Sequence, residues 1–205
     1  MKTIDDTLIN KIIEKTPIIV EALHLKRSSQ KLISQYLLKF IFCYSNYEFE
    51  PLCELSVFLP DTKNKSVSEF GLPNYMFNDD YSTSETLTID FVNHHELLKD
   101  ASEELFLSIF EPTPIDVIFR INQSIVSINK YLTNALKKKD EVLVMIPFDD
   151  TFMLFMLVLA VSNVPNFAGL VQFLNRFLQE QILTNEQSFA LSMMNSIYEL
   201  YQKKK

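Results

Sequence analysis

Two adjacent carboxylates, Asp149 and Asp150, stand just before the longest apolar run in the chain. That run, Phe152–Val161, predicts a helix that is apolar almost all round and therefore lies deep in a domain. Acidic side chains near a helix N-terminus offset the helix dipole, which is worth about 0.3–1 kcal/mol for each carboxylate. One carboxylate is sufficient for that structural role. The second can project into a surface groove instead, and the spacing alone leaves both interpretations open.

Other residue types that carry chemistry are sparse. The chain contains two cysteines and three histidines, which are Cys43, Cys53, His24, His94 and His95. Their spacing supplies neither the ligand set of a zinc site nor a nucleophile paired with a base. We therefore expect ordinary surface or core roles for all five residues, with no metal and no cofactor. A hydrolase or a metal enzyme is disfavoured for the same reason.

The composition excludes further classes of protein. Two glycines, Gly71 and Gly169, cannot form a dinucleotide-binding turn or a Walker-type phosphate loop, and they also disfavour tight β-hairpins. The 19 Lys and Arg against 26 Asp and Glu give a net charge of −7, which repels a nucleic acid. The lysine runs Lys137–Lys139 and Lys203–Lys205 are predicted to be solvated helix ends. The composition thus favours an all-α protein.

Membrane and secretory roles are not expected. The apolar run of ten residues is half of what a bilayer span requires, so we expect no transmembrane segment. The N-terminus lacks the basic and then apolar layout of a signal peptide. Together these features predict a cytoplasmic protein of 205 residues, built as one domain or as a core with a helical extension.

The N-terminal residues 1–60 have the pattern of short helices. Apolar spacing predicts a helix over Thr3–Lys15 that is interrupted by Thr16–Pro17. Ser28 or Ser29 can cap a second, longer helix. The predicted core stripe of this helix contains Leu32, Tyr36, Leu37, Phe40, Ile41 and Tyr44. Residues 61–90 are rich in Pro, Asn, Asp and Ser, which predicts a long irregular connection.

Helix signals are clear in residues 91–205. Asp100 and Glu103 form a capping-box pattern.

Thr113–Pro114 combines a cap with a proline at the first helical position, and Asp116 adds an acidic first turn. The segment Asn163–Asn166 is predicted to end one helix and to begin the next. Thr184 and Gln187 are predicted to cap the last helix. The short segment Val142–Ile146 can be strand or helix on periodicity alone.

The region that follows Val142 resembles a known family. Ile146–Asp150 is followed by thirteen residues, Thr151–Asn163, and then by Val164–Pro165. This order is similar to the Vps-nine domain, the Rabex/Rin type of guanine-nucleotide exchange factor for Rab GTPases. That family has Ala-Asp-Asp/Glu, an apolar helix and then Asn-Pro-Pro, with matching spacing.

Flanking segments extend the resemblance to roughly residues 96–201. The preceding helix of the family matches Pro114, Ile118, Ile121, Ile128, Asn129 and Leu132. Downstream matches are Gln172, Phe173, Arg176, Phe177, Phe189–Ser192, Ser196 and Glu199. Each motif is short and mostly apolar, so the similarity rests on their order and spacing.

The resemblance implies a fold and a site. The fold is all-α, with an N-terminal helical bundle packed on a C-terminal exchange domain, and the division is 1–60, 61–90 and 91–205. Asp149 takes the position of the essential aspartate that reaches the nucleotide site of the GTPase, and Asp150 that of the helix cap. The implied GTPase-binding residues are Phe148, Asp150, Phe152, Met153, Met156, Asn163, Pro165, Phe189, Ser192 and Met193.

Four positions depart from the family pattern. Phe189 replaces a tyrosine and loses a hydroxyl that would hydrogen-bond the GTPase switch region. Ser192 replaces threonine, Met153 replaces proline, and Val164 replaces the first proline of a pair. A missing hydrogen bond costs about 0.5–1.5 kcal/mol, which predicts a weakened exchange factor.

Three functions therefore follow from the sequence as hypotheses. The first is GDP release from a GTPase of the Rab-five subfamily in endosomal and vesicular traffic, with peripheral recruitment to endosomal membranes. The second is a scaffold that binds a Rab GTPase without efficient exchange. The third is a helical interaction module whose groove takes an amphipathic partner helix. The partner expected from the resemblance is a Rab GTPase.

Overall fold

The computed structural model describes residues 6–45, 64–70, 72–77, 86–137 and 145–202. Within these ranges the regular secondary structure consists of α-helices and 3-10 helices. One isolated antiparallel β-bridge joins Ser66 and Leu87. The expected all-α class is confirmed. None of the described helices is both long enough and apolar enough to cross a bilayer. The helices are α1 (Asp6–Ala22), α2 (Gln30–Ser45), α3 (Thr88–His94), α4 (Glu96–Leu107), α5 (Pro114–Lys137), α6 (Phe148–Val161), α7 (Phe167–Phe177) and α8 (Asn185–Gln202).

Several sequence predictions lie outside the described residues. They include most of the lysine run Lys137–Lys139, most of the segment 142–146, the terminal lysine run and Cys53. Within the predicted connection 61–90, the described parts form two 3-10 turns, Val67–Phe70 and Asn74–Met76, and the start of α3.

Packing divides the chain into two compact units, each assembled from several segments. The first unit contains residues 1–54, 110–119 and 166–199, and the second contains residues 55–109, 120–165 and 200–205. The predicted division at residues 60 and 90 refers to a family domain, whereas these units are defined by packing. That division stays a prediction.

Helix α1 lies in the first unit and packs on α2 and α7. Its buried face is formed by Ile9, Ile12, Thr16 and Val20 at helical spacing. The prediction that Thr16–Pro17 interrupts this helix is wrong, because α1 continues through Pro17 to Ala22. An interior proline costs about 3 kcal/mol, and burial of Val20 in the next turn offsets part of that cost.

The buried face of α2 is not the predicted one. Ser34, Leu38 and Phe42 are buried, and the Phe42 ring packs edge-on against Phe173 and Phe177 at 6.0 and 4.9 Å between centroids. In the predicted core stripe, three side chains are exposed and two are half-buried, while the side chain of Tyr44 is outside the described residues. The exposed three are Leu32, Tyr36 and Phe40. The prediction is wrong because α2 is apolar on two opposite faces, and periodicity does not decide which face is covered.

Two helices begin within the first unit at the predicted caps. The Asp116 N–H donates to Thr113 Oγ1 at 3.2 Å, and that hydroxyl donates to Asp116 Oδ2 at 2.5 Å. At the start of α8 the Gln187 N–H donates to Thr184 Oγ1 at 3.3 Å, while the Thr184 N–H donates to Gln187 Oε1 at 3.0 Å. Both predicted caps are confirmed.

In the second unit, α6 packs against α3 and α4. Eight of its residues are buried, which confirms the predicted deep helix; they are Thr151, Leu154, Phe155 and the run Leu157–Val161. The predicted capping box of Asp100 and Glu103 is wrong. Helix α4 begins at Glu96, one turn earlier, so both carboxylates lie inside the helix and are exposed.

The segment after α6 ends one helix and begins the next, as predicted. Asn163 and Asn166 both have left-handed backbones, with φ of 52° and 49°. The Asn166 side chain caps α7 by accepting the Gly169 N–H at 3.1 Å. A Cβ atom at Gly169 would lie 2.5 Å from Asn166 Nδ2, so the glycine leaves room for its own cap.

Candidate functional site

The start of α6 is the point where the chain places its two adjacent carboxylates. Pro147 is the N-cap residue, with an extended backbone and no side-chain capping bond. Its carbonyl accepts the N–H of Thr151 at 3.3 Å, which closes the first turn. Asp149 and Asp150 therefore lie inside the first turn, and neither acts as the cap of the helix.

Asp150 is held by a residue from a distant part of the sequence. Its carboxylate accepts a hydrogen bond from the hydroxyl of Tyr75, and Asp150 is half-buried. The 3-10 turn that carries Tyr75 is fixed in turn by the Tyr131 hydroxyl, which donates to the Met76 carbonyl at 2.5 Å. The expected capping role of Asp150 is wrong, because Pro147 is the N-cap of α6 and Asp150 lies within the first turn.

Asp149 is in a different environment. Its residue is exposed, and in the described ranges no hydrogen bond or ion pair engages its carboxylate. The carboxylate still gains from the helix dipole, which favours negative charge at an N-terminus. Of the two interpretations left open by the sequence, the one in which this acid is available at the surface agrees with its position.

Apolar side chains surround the exposed acid along α6. Phe148 and Phe152 stack with ring centroids 5.9 Å apart and an angle of 23° between planes. Phe148 is exposed, whereas Phe152, Met153 and Met156 are half-buried. Phe148, Phe152 and Met156 follow one another at intervals of four residues, and Met153 is one turn beyond Asp149. We call these five residues the α6 rim.

The opposite face of α6 anchors the rim. Leu154 and Phe155 are fully buried, and the Thr151 hydroxyl donates to Asn129 Oδ1 of α5 at 3.1 Å. A side chain on a packed helix is held more precisely than one on a loop. The rim is therefore a surface of fixed geometry, with one carboxylate and an apolar border.

Asn163 and Pro165 are exposed at the other end of α6. Asn163 follows Asp149 by fourteen residues, and at 1.5 Å per residue this places it about 20 Å farther along the helix axis. The two residues do not join the carboxylate in one cluster, although a partner as large as a protein can span that distance.

The remaining predicted contact residues belong to α8 in the first unit. Phe189 and Ser192 are exposed, and the Ser192 hydroxyl donates to the Ser188 carbonyl at 3.0 Å. Met193 is 1% exposed and in this conformation offers no surface to a partner. The eight other predicted site residues, from Phe148 to Pro165, all belong to the second unit.

His94 and His95 lie in the second unit, apart from the α6 rim residues in the sequence. His95 Nδ1 lies 2.8 Å from the Phe91 carbonyl oxygen, and its ring packs edge-on against Tyr131 at 5.1 Å between centroids. His94 and His95 border a cavity of about 420 Å³ in the second unit. Among the described residues there is no group of three or more side chains able to hold a metal ion.

Sequence reasoning missed Tyr75. It lies in the segment predicted to be an irregular connection, and nothing in the local pattern marks a tyrosine that will bind a carboxylate 75 residues later. The nearest signal was the pair of acids itself, since one carboxylate is sufficient at a helix start.

None of the protein-family models matches the chain, and no curated protein is similar enough to count as a match.

Proposed function

We propose that this protein is a guanine-nucleotide exchange factor that promotes GDP release from a GTPase of the Rab-five subfamily in endosomal and vesicular traffic. The observation that carries the proposal is the exposed Asp149 carboxylate on the α6 rim. The order of motifs that resembles the Vps-nine domain is the reason for giving Asp149 the role of the acid that reaches the nucleotide site. Cytoplasmic localisation with recruitment to endosomes is part of the proposal.

The proposed mechanism is electrostatic and requires no covalent chemistry. A carboxylate brought to the nucleotide site repels the phosphates and competes for the cationic groups that bind them, including Mg²⁺. Binding of the exchange factor and binding of GDP then become mutually antagonistic. Asp149 suits this role because its position in the first turn of a packed helix holds its charge at the surface, and no side chain in the described ranges bonds it.

The apolar side chains around Asp149 are of the types that bind other proteins. Phe148 and Phe152 present stacked aromatic rings, and Met153 and Met156 are flexible and polarizable. Aromatic side chains and methionine are enriched where proteins bind one another. An apolar border also excludes water from a bound carboxylate, which strengthens its interaction with charged groups of the partner.

Release of fluorescent GDP from a panel of Rab GTPases tests the proposal. The wild-type chain is expected to accelerate release from a Rab-five-subfamily member, and Asp149→Asn is expected to lower that acceleration about a hundredfold. Asn keeps the size of the side chain and removes the charge. Asp100→Asn is the matched control, because Asp100 is also an exposed helical carboxylate of the second unit.

Two results would contradict the proposal. One is equal release with wild type, Asp149→Asn and buffer across the panel. The other is an equal loss of activity in Asp149→Asn and Asp100→Asn, which would assign the effect to net charge and not to the rim.

A second candidate function has the same partner but no efficient nucleotide exchange. The departures at Phe189 and Met153 favour a scaffold that binds a Rab GTPase without efficient exchange. Pull-down of a Rab without stimulated release distinguishes this scaffold from an exchange factor. Recovery of release by Phe189→Tyr would assign the defect to the missing hydroxyl, and Phe189→Leu serves as the control. If no Rab is bound at all, the helical interaction module is the alternative to pursue.

A further inference from the structure

Two leucines in the turn between α1 and α2 are exposed to solvent. His24 has a left-handed backbone, with φ of 52°. Its N–H donates to the carbonyl of Glu21 at 3.0 Å. The N–H of Leu25 donates to the carbonyl of Val20 at 2.9 Å. These two bonds form a Schellman motif, which closes the end of α1. Leu23 and Leu25 flank His24 and are 61% and 44% exposed.

Helix α2 continues the exposed apolar surface. Its buried face is Ser34, Leu38 and Phe42, and a shift of two residues along a helix turns a side chain by about 200°. Leu32 and Tyr36 each lie two residues before a member of the buried face, so they point to the opposite side of the helix. Tyr36 is 64% exposed. The outward face of α2 is therefore apolar where a solvated helix normally carries charge.

Exposed cations accompany these apolar side chains. Lys11, Lys15, Lys26 and Arg27 are exposed, and the last two directly follow Leu25. Residues 6–45 contain six Lys and Arg against three Asp and Glu, a net charge of +3, whereas the chain as a whole has −7. The rest of the chain thus carries −10. Basic charge is concentrated in the segment that also exposes its leucines.

We infer that the α1–α2 hairpin binds the surface of an anionic phospholipid bilayer, with Leu23 and Leu25 entering the interface and Lys26 and Arg27 against the headgroups. Leucine supplies buried apolar area, and each basic residue at an anionic surface strengthens binding by about fivefold at low salt. The remainder of the chain carries net negative charge, so the hairpin is the segment that such a surface attracts. The inference extends the endosomal part of the proposed function and uses no property of Asp149.

Charge favours a bilayer over a second copy of the chain as the occupant of this face. Symmetric dimers bring the same patch of both subunits together. Two copies of the exposed Lys26 and Arg27 would then face each other, and like charges across an interface oppose association. An anionic membrane has the opposite charge and accepts the leucines.

Sedimentation with phosphatidylcholine vesicles, with and without phosphatidylserine, tests this inference on the full chain. The wild type is expected to bind vesicles that contain phosphatidylserine, less strongly as salt is raised, and to leave phosphatidylcholine vesicles unbound. Lys26→Glu/Arg27→Glu is expected to weaken binding by roughly twentyfold or more. Leu23→Ser/Leu25→Ser is expected to weaken it by about tenfold.

Matched controls separate this surface from general effects. Lys130→Glu/Lys137→Glu makes the same change of charge at exposed lysines of the second unit, and Met145→Ser removes another exposed apolar side chain. Both are expected to keep wild-type binding. Asp149→Asn should bind vesicles normally whether or not the protein catalyses exchange, so the two proposals fail independently.

Three results would overturn the inference. The first is no binding of the wild type to vesicles that contain phosphatidylserine. The second is equal weakening by the control and hairpin charge reversals. The third is a wild-type dimer in sedimentation equilibrium that Leu23→Ser/Leu25→Ser dissociates without changing vesicle binding, which would assign the face to a second copy. If the leucine variant fails to fold, Lys26→Glu/Arg27→Glu decides the outcome.

Discussion

Helices α5 and α8 begin differently from α6. At the first two starts a threonine hydroxyl accepts a backbone N–H, and an Asp or Gln three residues later interacts with that threonine in return. At the third start the N-cap is Pro147, which has no side chain able to form such a bond, although two carboxylates follow it. The helix with the most acidic first turn therefore lacks a side-chain cap.

The difference teaches how to interpret acids at a helix start. Asp116 is used structurally, since it bonds Thr113 and pairs with Lys39 at 2.5 Å. Asp150 is used structurally as well, through Tyr75. Asp149 has a charge of the same kind in the first turn of α6, and no bond in the described structure engages it. An acid that its own fold does not bind is a better candidate for a partner than one that caps.

The largest effect on stability is expected at a capped start. Thr113→Ala removes the hydroxyl that accepts the Asp116 N–H, and we expect the free energy of unfolding to fall by about 1–2 kcal/mol in urea titration. Thr113→Ser keeps the hydroxyl and should recover most of that loss. Thr7→Ala, which removes an exposed hydroxyl elsewhere in the first unit, is the control. Equal effects of the two alanine substitutions would break the comparison between capped and uncapped starts.

A smaller effect is expected at the uncapped start. A double-mutant cycle of Tyr75→Phe and Asp150→Asn, measured by urea titration, should give a coupling of about 1 kcal/mol, because each change removes one partner of a single hydrogen bond. Asp149→Asn should change the free energy of unfolding by less than about 0.5 kcal/mol. A larger loss at Asp149 than at Asp150 would mean that the exposed acid is structural, contrary to its proposed role.

The smallest effect is expected at Glu186, in the first turn of α8. Hydrogen bonds from its own backbone N–H and from Thr184, together with nearby Lys31, lower the pKa of this carboxyl below its ordinary value. The ionised form therefore stabilises the folded state at neutral pH, and this contribution is lost as the pH falls through the lowered pKa. Glu186→Gln should be slightly less stable than wild type at neutral pH and equal to it in acid.

Glu180→Gln is the control for that measurement, since Glu180 is exposed and lies outside any helical first turn. A difference between Glu186→Gln and wild type that grows as the pH falls would contradict the assignment. Denaturant titrations across the acidic range make the comparison.

Much of the fold could be predicted where a local signal was sufficient. The caps at Thr113 and Thr184 and the helix break at Asn163–Asn166 depend on side chains within a few residues of one another, and all were predicted. The deep burial of α6 was predicted because an all-round apolar helix has no face suited to water. These features require no knowledge of distant contacts.

Local signals failed where the pattern of one segment is compatible with two different structures. Pro17 predicts an interruption, yet packing of the next turn keeps α1 helical. Helix α2 has two apolar faces, so its pattern predicts a buried stripe without identifying it. The Asp100 and Glu103 pair is a valid capping pattern, but α4 already began at Glu96. In each case the deciding contacts or geometry lie outside the motif.

The sequence by itself determined the all-α class, the caps at Thr113 and Thr184 and the position of two acids before a buried helix, because these depend on composition and on neighbours within a turn or two. Only the tertiary structure decided which acid remained available. Tyr75 binds Asp150 from a turn 75 residues away, and no comparable group in the described chain binds Asp149. That choice depends on distant atoms brought within hydrogen-bond distance, which no local pattern encodes.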